Sequence, residues 1–435
     1  MKTQLAGRFA KLLDKLRSSY WVVPACCVLG TILLAAGAIR LDEIGLLEGE
    51  ALPRWMRVEE PESARSMLTA MAGAMITIAS LTFSISIVAL TLASSQFGSR
   101  LLYNFMRERG NQAVLGVLLG TFVYCLLVLP SVQGGVEPRI PQVAFLLAVV
   151  LTLVGVGSLI YFFHHVAESI QANHVISDVG RELSAVVRRV FPEADEESPA
   201  VPELPEGEPQ PVPSPRAGLV QAIGLDGLVA LASGQDQVLE LTCRAGDYVV
   251  AGEPLALVRG DESADPDCLA AIAGAFVLGS RRTLIQDVDF AFLELAEVAV
   301  RALSPGINDP FTAMSCVDEL GSGLVQVMER GDMAPCMLDG DGEVRVVLHV
   351  TGFGDLVGTA FDQIRQHGQR DLAVMTRLLD TLVKIAPQAR TKAHRAALLR
   401  QGRLCHELAH PHAGTEEDRE ALERRLEEVT RALEG

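Results

Sequence analysis

Residues 67–95 read MLTAMAGAMITIASLTFSISIVALTLASS, an unbroken run with no Asp, Glu, Lys, Arg or His. A bilayer core is crossed by about 20 apolar residues in a helix, and this run exceeds that length. Backbone groups in hydrocarbon must find their hydrogen bonds inside the segment, which makes the run a transmembrane helix. Three further stretches meet the same criterion, at residues 21–39, 113–132 and 143–163, and all are free of ionisable side chains. The sequence therefore predicts an α-helical membrane domain of four transmembrane helices in the first part of the chain.

The first run resembles a signal peptide at its edges. Lys11, Lys15 and Arg17 precede it, and Ala36-Gly37-Ala38 has the small residues of a cleavage site. Its length exceeds the usual apolar region of such a leader, so it is read as a retained span. Orientation follows the basic residues of the short loops. Lys2, Arg8, Lys11, Lys15 and Arg17 precede the first span, and Arg100, Arg107 and Arg109 lie between the second and third. The loop after the first span is acid-rich, with Asp42, Glu43, Glu48, Glu50, Glu59, Glu60 and Glu62 against Arg54, Arg57 and Arg65. Both termini are accordingly expected in the cytoplasm.

The rest of the chain belongs to a different solvent. The first 165 residues carry 13 Lys and Arg against 10 Asp and Glu, whereas the remainder carries 24 against 44. So acidic a region repels phosphate backbones, and no nucleic-acid partner is expected. The eight cysteines have no CxxC spacing, which fits reduced thiols and indicates neither zinc nor a disulfide framework.

Within the second span, Thr77, Ser80, Ser84, Thr91 and Ser95 recur at helical intervals and share one face. Such a hydroxyl stripe lines a pore where several copies of the helix meet around water, or packs against another helix. Thr82 and Ser86 lie on other faces. The absence of a carboxylate or His in the spans points away from an ion-coupled carrier.

After the fourth span, Val166, Ile170, Val179, Leu183, Val186 and Val190 keep helical spacing, so the helix is expected to continue as a cytoplasmic stem. His164, His165 and Glu168 stand there within one turn of each other, and are read as interfacial residues rather than metal ligands. Residues 192–217, PEADEESPAVPELPEGEPQPVPSPRA, are too rich in proline and acid to build a core and read as a disordered linker. The expected organisation is a transmembrane domain with its stem at 1–191, the linker at 192–217, a small β-rich module at 218–262, an α+β cytoplasmic domain at 263–414 and an amphipathic helix at 415–435.

The β-rich module carries Gly246-Asp247-Tyr248-Val249-Val250-Ala251-Gly252-Glu253-Pro254-Leu255. This resembles the GD-x-V-x-x-G-x-x-L hairpin of biotinyl and lipoyl barrel-sandwich modules. Residues 218–258 contain no lysine, so the modified residue of those carriers is missing. A helix is expected around 226–232 and a buried one at 290–303, where Glu294, Glu297 and Arg301 form the polar face and Glu297 can pair Arg301 at i,i+4. Ser304, Pro305 and Gly306 break it, and Asp309-Pro310 starts the next helix as N-cap and first residue.

Five separated segments, FSISIVALTLASSQFGSRLL (83–102), GVLLGTFVYCLLVL (116–129), HHVAESIQ (164–171), RRTLIQD (281–287) and RALSPGINDPFTA (301–313), occur in an order that resembles the domain of unknown function 2254 family of predicted bacterial membrane proteins. The resemblance covers nearly the whole chain apart from the linker and the C-terminal end. It implies a multi-pass bacterial inner-membrane protein and no particular activity.

Arg281, Arg282, Gln286, Asp287, Glu294, Arg301, Asn308 and Asp309 concentrate polar chemistry around the buried helix. They either converge on a ligand such as a small anion or tie helix ends together. No nucleophile–base pair, phosphate loop or metal motif is present, and Asp339 to Glu343 lacks calcium-loop spacing. No enzyme activity, metal or cofactor is expected. The C-terminal part reads as a strand at 344–350, helices at 355–367 and 371–385, and a last helix at 415–433. That last helix opens with a Thr415–Asp418 capping box and carries Leu422, Leu426, Val429 and Leu433 for a short coiled coil or for docking. Two functions fit the sequence: an oligomeric channel or passive permeation protein regulated by its cytoplasmic part, or a non-conducting scaffold or sensor whose cytoplasmic part binds a ligand or protein.

Overall fold

The computed structural model describes residues 21–44, 58–97, 109–133, 140–169, 171–191, 208–260 and 263–434. The basic residues before the first span, Arg100 and Arg107, the loop residues Glu48, Glu50, Arg54 and Arg57, and residues 192–207 of the linker lie outside that set. The chain divides into two compact units between Gln171 and Ala172.

The first unit is built from α1 (Val22–Ile44), α2 (Pro61–Phe97), α3 (Arg109–Val128) and α4 (Gln142–Ser169). Segments Val22–Ile44, Pro61–Leu92, Gly110–Ser131 and Gln142–Glu168 are long and apolar enough to cross a membrane. The hub is α3, which packs on α1, α2 and α4. Half of its span is buried within the chain, against 17–22% for the other three. Small residues allow this approach. A Cβ at Gly116 would come within 2.8 Å of the Cys27 side chain, and one at Gly120 within 2.9 Å of Thr31 Cγ2. These glycines, four residues apart, let α3 lie close against α1.

Polar side chains stitch one end of this bundle. Asp42, near the end of α1, accepts from the backbone N–H groups of Val143 and Ala144 at 3.0 Å each, capping the N-terminus of α4. Arg65 donates twice to Val132 O, at 2.8 and 3.1 Å. Gln142 donates to Val58 O at 2.8 Å, and the Tyr124 hydroxyl to Ala144 O at 3.0 Å.

The second unit starts with α5 (Ala172–Val190), whose Ile176, Val179, Leu183, Val186 and Val187 are buried. The stem expected to prolong the fourth span is thus a separate helix that packs with the second unit, against the helices at Val288–Ala302 and Pro310–Arg330. Ile170 lies outside the described residues.

Among the described residues eight strands follow: β1 (Gln210–Pro213), β2 (Gly218–Ile223), β3 (Val238–Leu241), β4 (Tyr248–Val249), β5 (Pro254–Arg259), β6 (Phe276–Gly279), β7 (Cys336–Leu338) and β8 (Val344–Val347). They form two open sheets, ordered β1-β5-β3-β8-β7 and β4-β2-β6. Among the described strands only β3 and β8 pair in parallel. Among the described residues there is no closed barrel. The stretch that resembles a carrier hairpin turns where expected, with φ of +101° at Gly246 and +86° at Gly252. Its two strands nevertheless pair in different sheets, β4 with β2 and β5 with β1 and β3.

The β layer also exceeds the expected 218–262 at both ends. β1 lies in what reads as linker, where Val212 is fully buried, and β6 to β8 come from beyond residue 262. Alternation in the short strands (buried Leu239 and Leu241, for example) supplies one core shared with α6 (Leu225–Gly234) and α7 (Pro266–Gly274).

The helical part comprises α8 (Val288–Ala302), α9 (Pro310–Arg330), α10 (Phe353–Gly368), α11 (Leu372–Ile385), α12 (Lys392–Ala409) and α13 (Glu416–Glu434). As the sequence predicts, α8 is buried nearly all round, including Phe290, Phe292, Leu295 and Val298. The capping box of α13 forms, Asp418 N–H donating to Thr415 Oγ1 and Thr415 N–H to Asp418 Oδ2 at 3.2 Å each. Buried Leu422, Val429 and Leu433 dock α13 onto α11 and α12.

Candidate functional site

Two polar constellations stand out, one in each unit. In α2, about 100° of turn per residue places Thr77, Ser80, Ser84, Thr91 and Ser95 within an arc of about 60°. All five are exposed. The opposite side of the helix carries Ala64, Leu68, Ala72, Met75, Ala79 and Ala89, all buried against the chain's own helices. Thr82, which the sequence sets apart from the stripe, is on the buried side at 2% exposure.

Hydroxyls on the exposed arc donate to carbonyls of their own helix. Thr77 bonds Gly73 O at 2.8 Å, Ser84 bonds Ser80 O at 3.0 Å, Thr91 bonds Ile87 O at 2.9 Å and Ser95 bonds Leu92 O at 2.8 Å. With the donor occupied, each oxygen still presents lone pairs outward. The face is polar without requiring a partner from the chain.

In the second unit, an ionic network joins the β layer to the helices. Asp287, 2% exposed, caps α8 by accepting from Phe290 N–H at 2.9 Å. It also takes a forked pair from Arg282, whose Nε and Nη2 lie 2.6 and 2.7 Å from its two oxygens. The guanidinium sits over the Phe290 ring, 5.2 Å from its centre. Burial pushes the Asp287 carboxyl above the usual carboxylate range, opposed by the hydrogen bonds and charge of Arg282.

Gly246, in the left-handed region, carries backbone up to this pair. A Cβ there would fall 2.3 Å from Asp287 Oδ2. Two residues earlier, Arg244 Nη2 lies 3.3 Å from Asp289 Oδ2. Arg244 also donates to Thr351 Oγ1, and Thr351 in turn donates to Asp289 Oδ2 at 2.7 Å. Thr359 of α10 donates to Asp289 Oδ1 at 3.4 Å. The partners come from the β3–β4 turn, the start of α8, and the segment leading into α10.

The eight residues singled out from sequence are distributed along α8. Arg282, Gln286 and Asp287 lie at its start. Gln286 mimics a strand, accepting from Ile223 N–H at 2.7 Å and donating to Ile223 O at 3.0 Å. The carbonyl of Arg281 accepts from Gln221 Nε2 at 2.9 Å. Arg301 and Glu297 form the expected i,i+4 pair at 3.1 Å on the helix, whose polar side also includes Glu294. Beyond its end, Asn308 adopts φ of +51°, and Asp309 caps α9 by accepting from Thr312 N–H at 3.1 Å and Thr312 Oγ1 at 2.6 Å. The fifteen residues of α8 span about 22 Å at 1.5 Å per residue, so its two ends form separate clusters. Arg244, Asp289 and Thr351 complete the first cluster, with Asp247 accepting from the backbone N–H of Arg244 at 2.9 Å. Their nearest local signal is the charge flanking the Gly246 turn.

Other polar groups have local structural partners. His164 lies 3.3 Å from Glu168, one turn on, while His165 stacks on Tyr161. Asp339 is held down to about 2 by its bond from Arg345, with help from the backbone N–H groups of Glu343 and Asp341 and from Ser233. None of the eight cysteines is in a disulfide, and burial pushes the thiols of Cys243 and Cys405 up to about 12.

Comparison with known proteins agrees with the membrane character of the first unit. A family model described as a predicted membrane protein, DUF2254, matches residues 17–384. Uncharacterized proteins of Mycobacterium bovis and Mycobacterium tuberculosis are each 32% identical over 431 residues, covering 96% of this chain and 81% of the relative. An uncharacterized protein from a second Mycobacterium tuberculosis strain is 31% identical over the same length. No solved structure matches.

Proposed function

The chain belongs to this family of predicted membrane proteins, and on that premise we propose that it self-associates in the bacterial inner membrane as a passive permeation protein. Copies of α2 turn their hydroxyl faces toward a shared axis, and the second unit, in the cytoplasm with both termini, regulates the path. The observation that carries this reading is the placement of Thr77, Ser80, Ser84, Thr91 and Ser95 opposite the side that α2 buries in its own chain. Packing among the described residues therefore does not account for the stripe. Four helices enclose no wide path alone, so conduction calls for several copies. Uncharged hydroxyls suit a pathway that solvates a solute without binding it tightly.

A second reading is a non-conducting scaffold or sensor in which the same face packs against a neighbouring helix. The self-satisfied hydroxyls favour it, since Ser84 and Thr91 already donate within α2 and pack without desolvating a free donor. Ionic current across planar bilayers containing the purified protein separates the two. The channel reading predicts discrete currents that Ser84→Leu reduces or abolishes. Folded, inserted protein that stays silent across applied voltages supports the scaffold and contradicts the pore.

A further inference from the structure

The last two helices hold a cluster that neither the hydroxyl face nor the Arg282–Asp287 network uses. His406 lies in the final turn of α12. The backbone N–H of His410 still donates to His406 O, so the helical pitch continues past Ala409 and sets the two imidazoles one turn apart on one face. Glu423 reaches them from α13, held in register by its buried neighbour Leu422. One ligand atom from each of His406, His410 and Glu423 lies within 4.8 Å of the others. His410 Nε2 is 3.8 Å from Glu423 Oε1, and the two imidazole centres are 5.2 Å apart.

His406 Nε2 is buried and has no hydrogen-bond partner among the described residues. A buried polar atom without a partner is costly. The contact between His410 and Glu423 explains those two side chains and leaves His406 unexplained.

We propose that His406, His410 and Glu423 bind a divalent transition-metal ion, with zinc the best match, and that the ion clamps α13 onto α12. Two imidazoles and one carboxylate suit zinc and its neighbours in the first transition row better than magnesium or calcium, which prefer all-oxygen sets. Zinc bonds of about 2.0–2.2 Å place tetrahedral ligand atoms about 3.4 Å apart, within reach of modest side-chain rotations from the distances here. The side chains of His410 and Glu423 are 39% and 59% exposed, leaving room for water as a fourth ligand. Both helices lie beyond residue 384, where the family match ends.

The test uses untagged full-length protein in detergent, stripped of metal and titrated with zinc against a chromophoric chelator. One zinc per chain is expected, bound at least tenfold more weakly by His406→Gln and by Glu423→Gln. Cobalt(II) should give the visible absorption of a four-coordinate site in the wild type and not in these variants. His412→Gln, at an exposed position outside the cluster, should keep both signals. Circular dichroism of the metal-free proteins checks folding, and the exposed Glu423→Gln decides the matter if His406→Gln does not fold. Absence of saturable zinc binding, or equal affinity in the wild type and a folded Glu423→Gln, would overturn the proposal.

Discussion

Two apolar helices of the first unit carry small residues in rows, and the chain uses the two rows in opposite ways. On α3, Gly116 and Gly120 face inward, with Cys27 and Thr31 of α1 so near that a methyl group would collide. On α2, Gly73 lies on the same arc as Thr77, Ser80 and Ser84, and a Cβ there would meet nothing within 4 Å. The contrast shows that a row of small residues marks a close approach only where the fold supplies a neighbour. The partner of the α3 row is inside the chain; under the proposed function, that of the α2 row is another copy.

Substitutions can break this contrast, beginning with groups whose partners are internal. Arg282→Ala leaves the buried Asp287 carboxylate without its forked partner. Removing one half of a buried pair costs roughly 3–5 kcal/mol, and the quarter-exposed Arg282 side chain argues for about 3. A matching drop in unfolding free energy in detergent is expected, and an unchanged value would show that the network contributes little to stability.

Next comes the glycine pair. Gly116→Leu should destabilise the first unit by about 1–3 kcal/mol through overpacking, whereas Gly73→Leu should leave the melting temperature of the dispersed monomer unchanged. Equal destabilisation by both would erase the distinction between the two rows. Smaller still, Asp42→Ala removes the acceptor for Val143 and Ala144 and should cost about 1 kcal/mol, as for a lost N-cap, with earlier hydrogen exchange at the start of α4 as its local signature.

Much of the local structure is legible in the sequence because its causes are local. Hydropathy alone marks the four long helices, and the Asp309-Pro310 start, the Glu297–Arg301 pair and the Thr415–Asp418 box all lie within four residues of their partners. The sheets are different. β8 pairs in parallel with β3, Val346 opposite Leu239, and no pattern within either strand encodes that long-range choice. The polar network fails to announce itself for the same reason: Thr351 reaches Asp289 across 62 positions and Arg244 across 107.

The helix α12 is obscured by composition. Its sequence KAHRAALLRQGRLCHELA buries His394 and Gln401 alongside Leu398 and Cys405, so a search for an apolar stripe passes over it. The hydroxyl stripe of α2 was readable as a stripe, but its direction was not. That direction depends on which side Met75 and Ala79 bury, a matter decided by α3 and α4.

Cross-linking through α2 tests the central claim most directly. In a background with Cys26 and Cys27 replaced by serine, Ser84→Cys puts a thiol on the hydroxyl face. Phe83→Cys puts one at the same depth, about 100° around the helix, on a position that is also exposed. Oxidation in native membranes should join copies efficiently through Ser84→Cys and poorly through Phe83→Cys. Equal cross-linking at the two positions, or none at Ser84→Cys, would contradict an assembly built on the hydroxyl face.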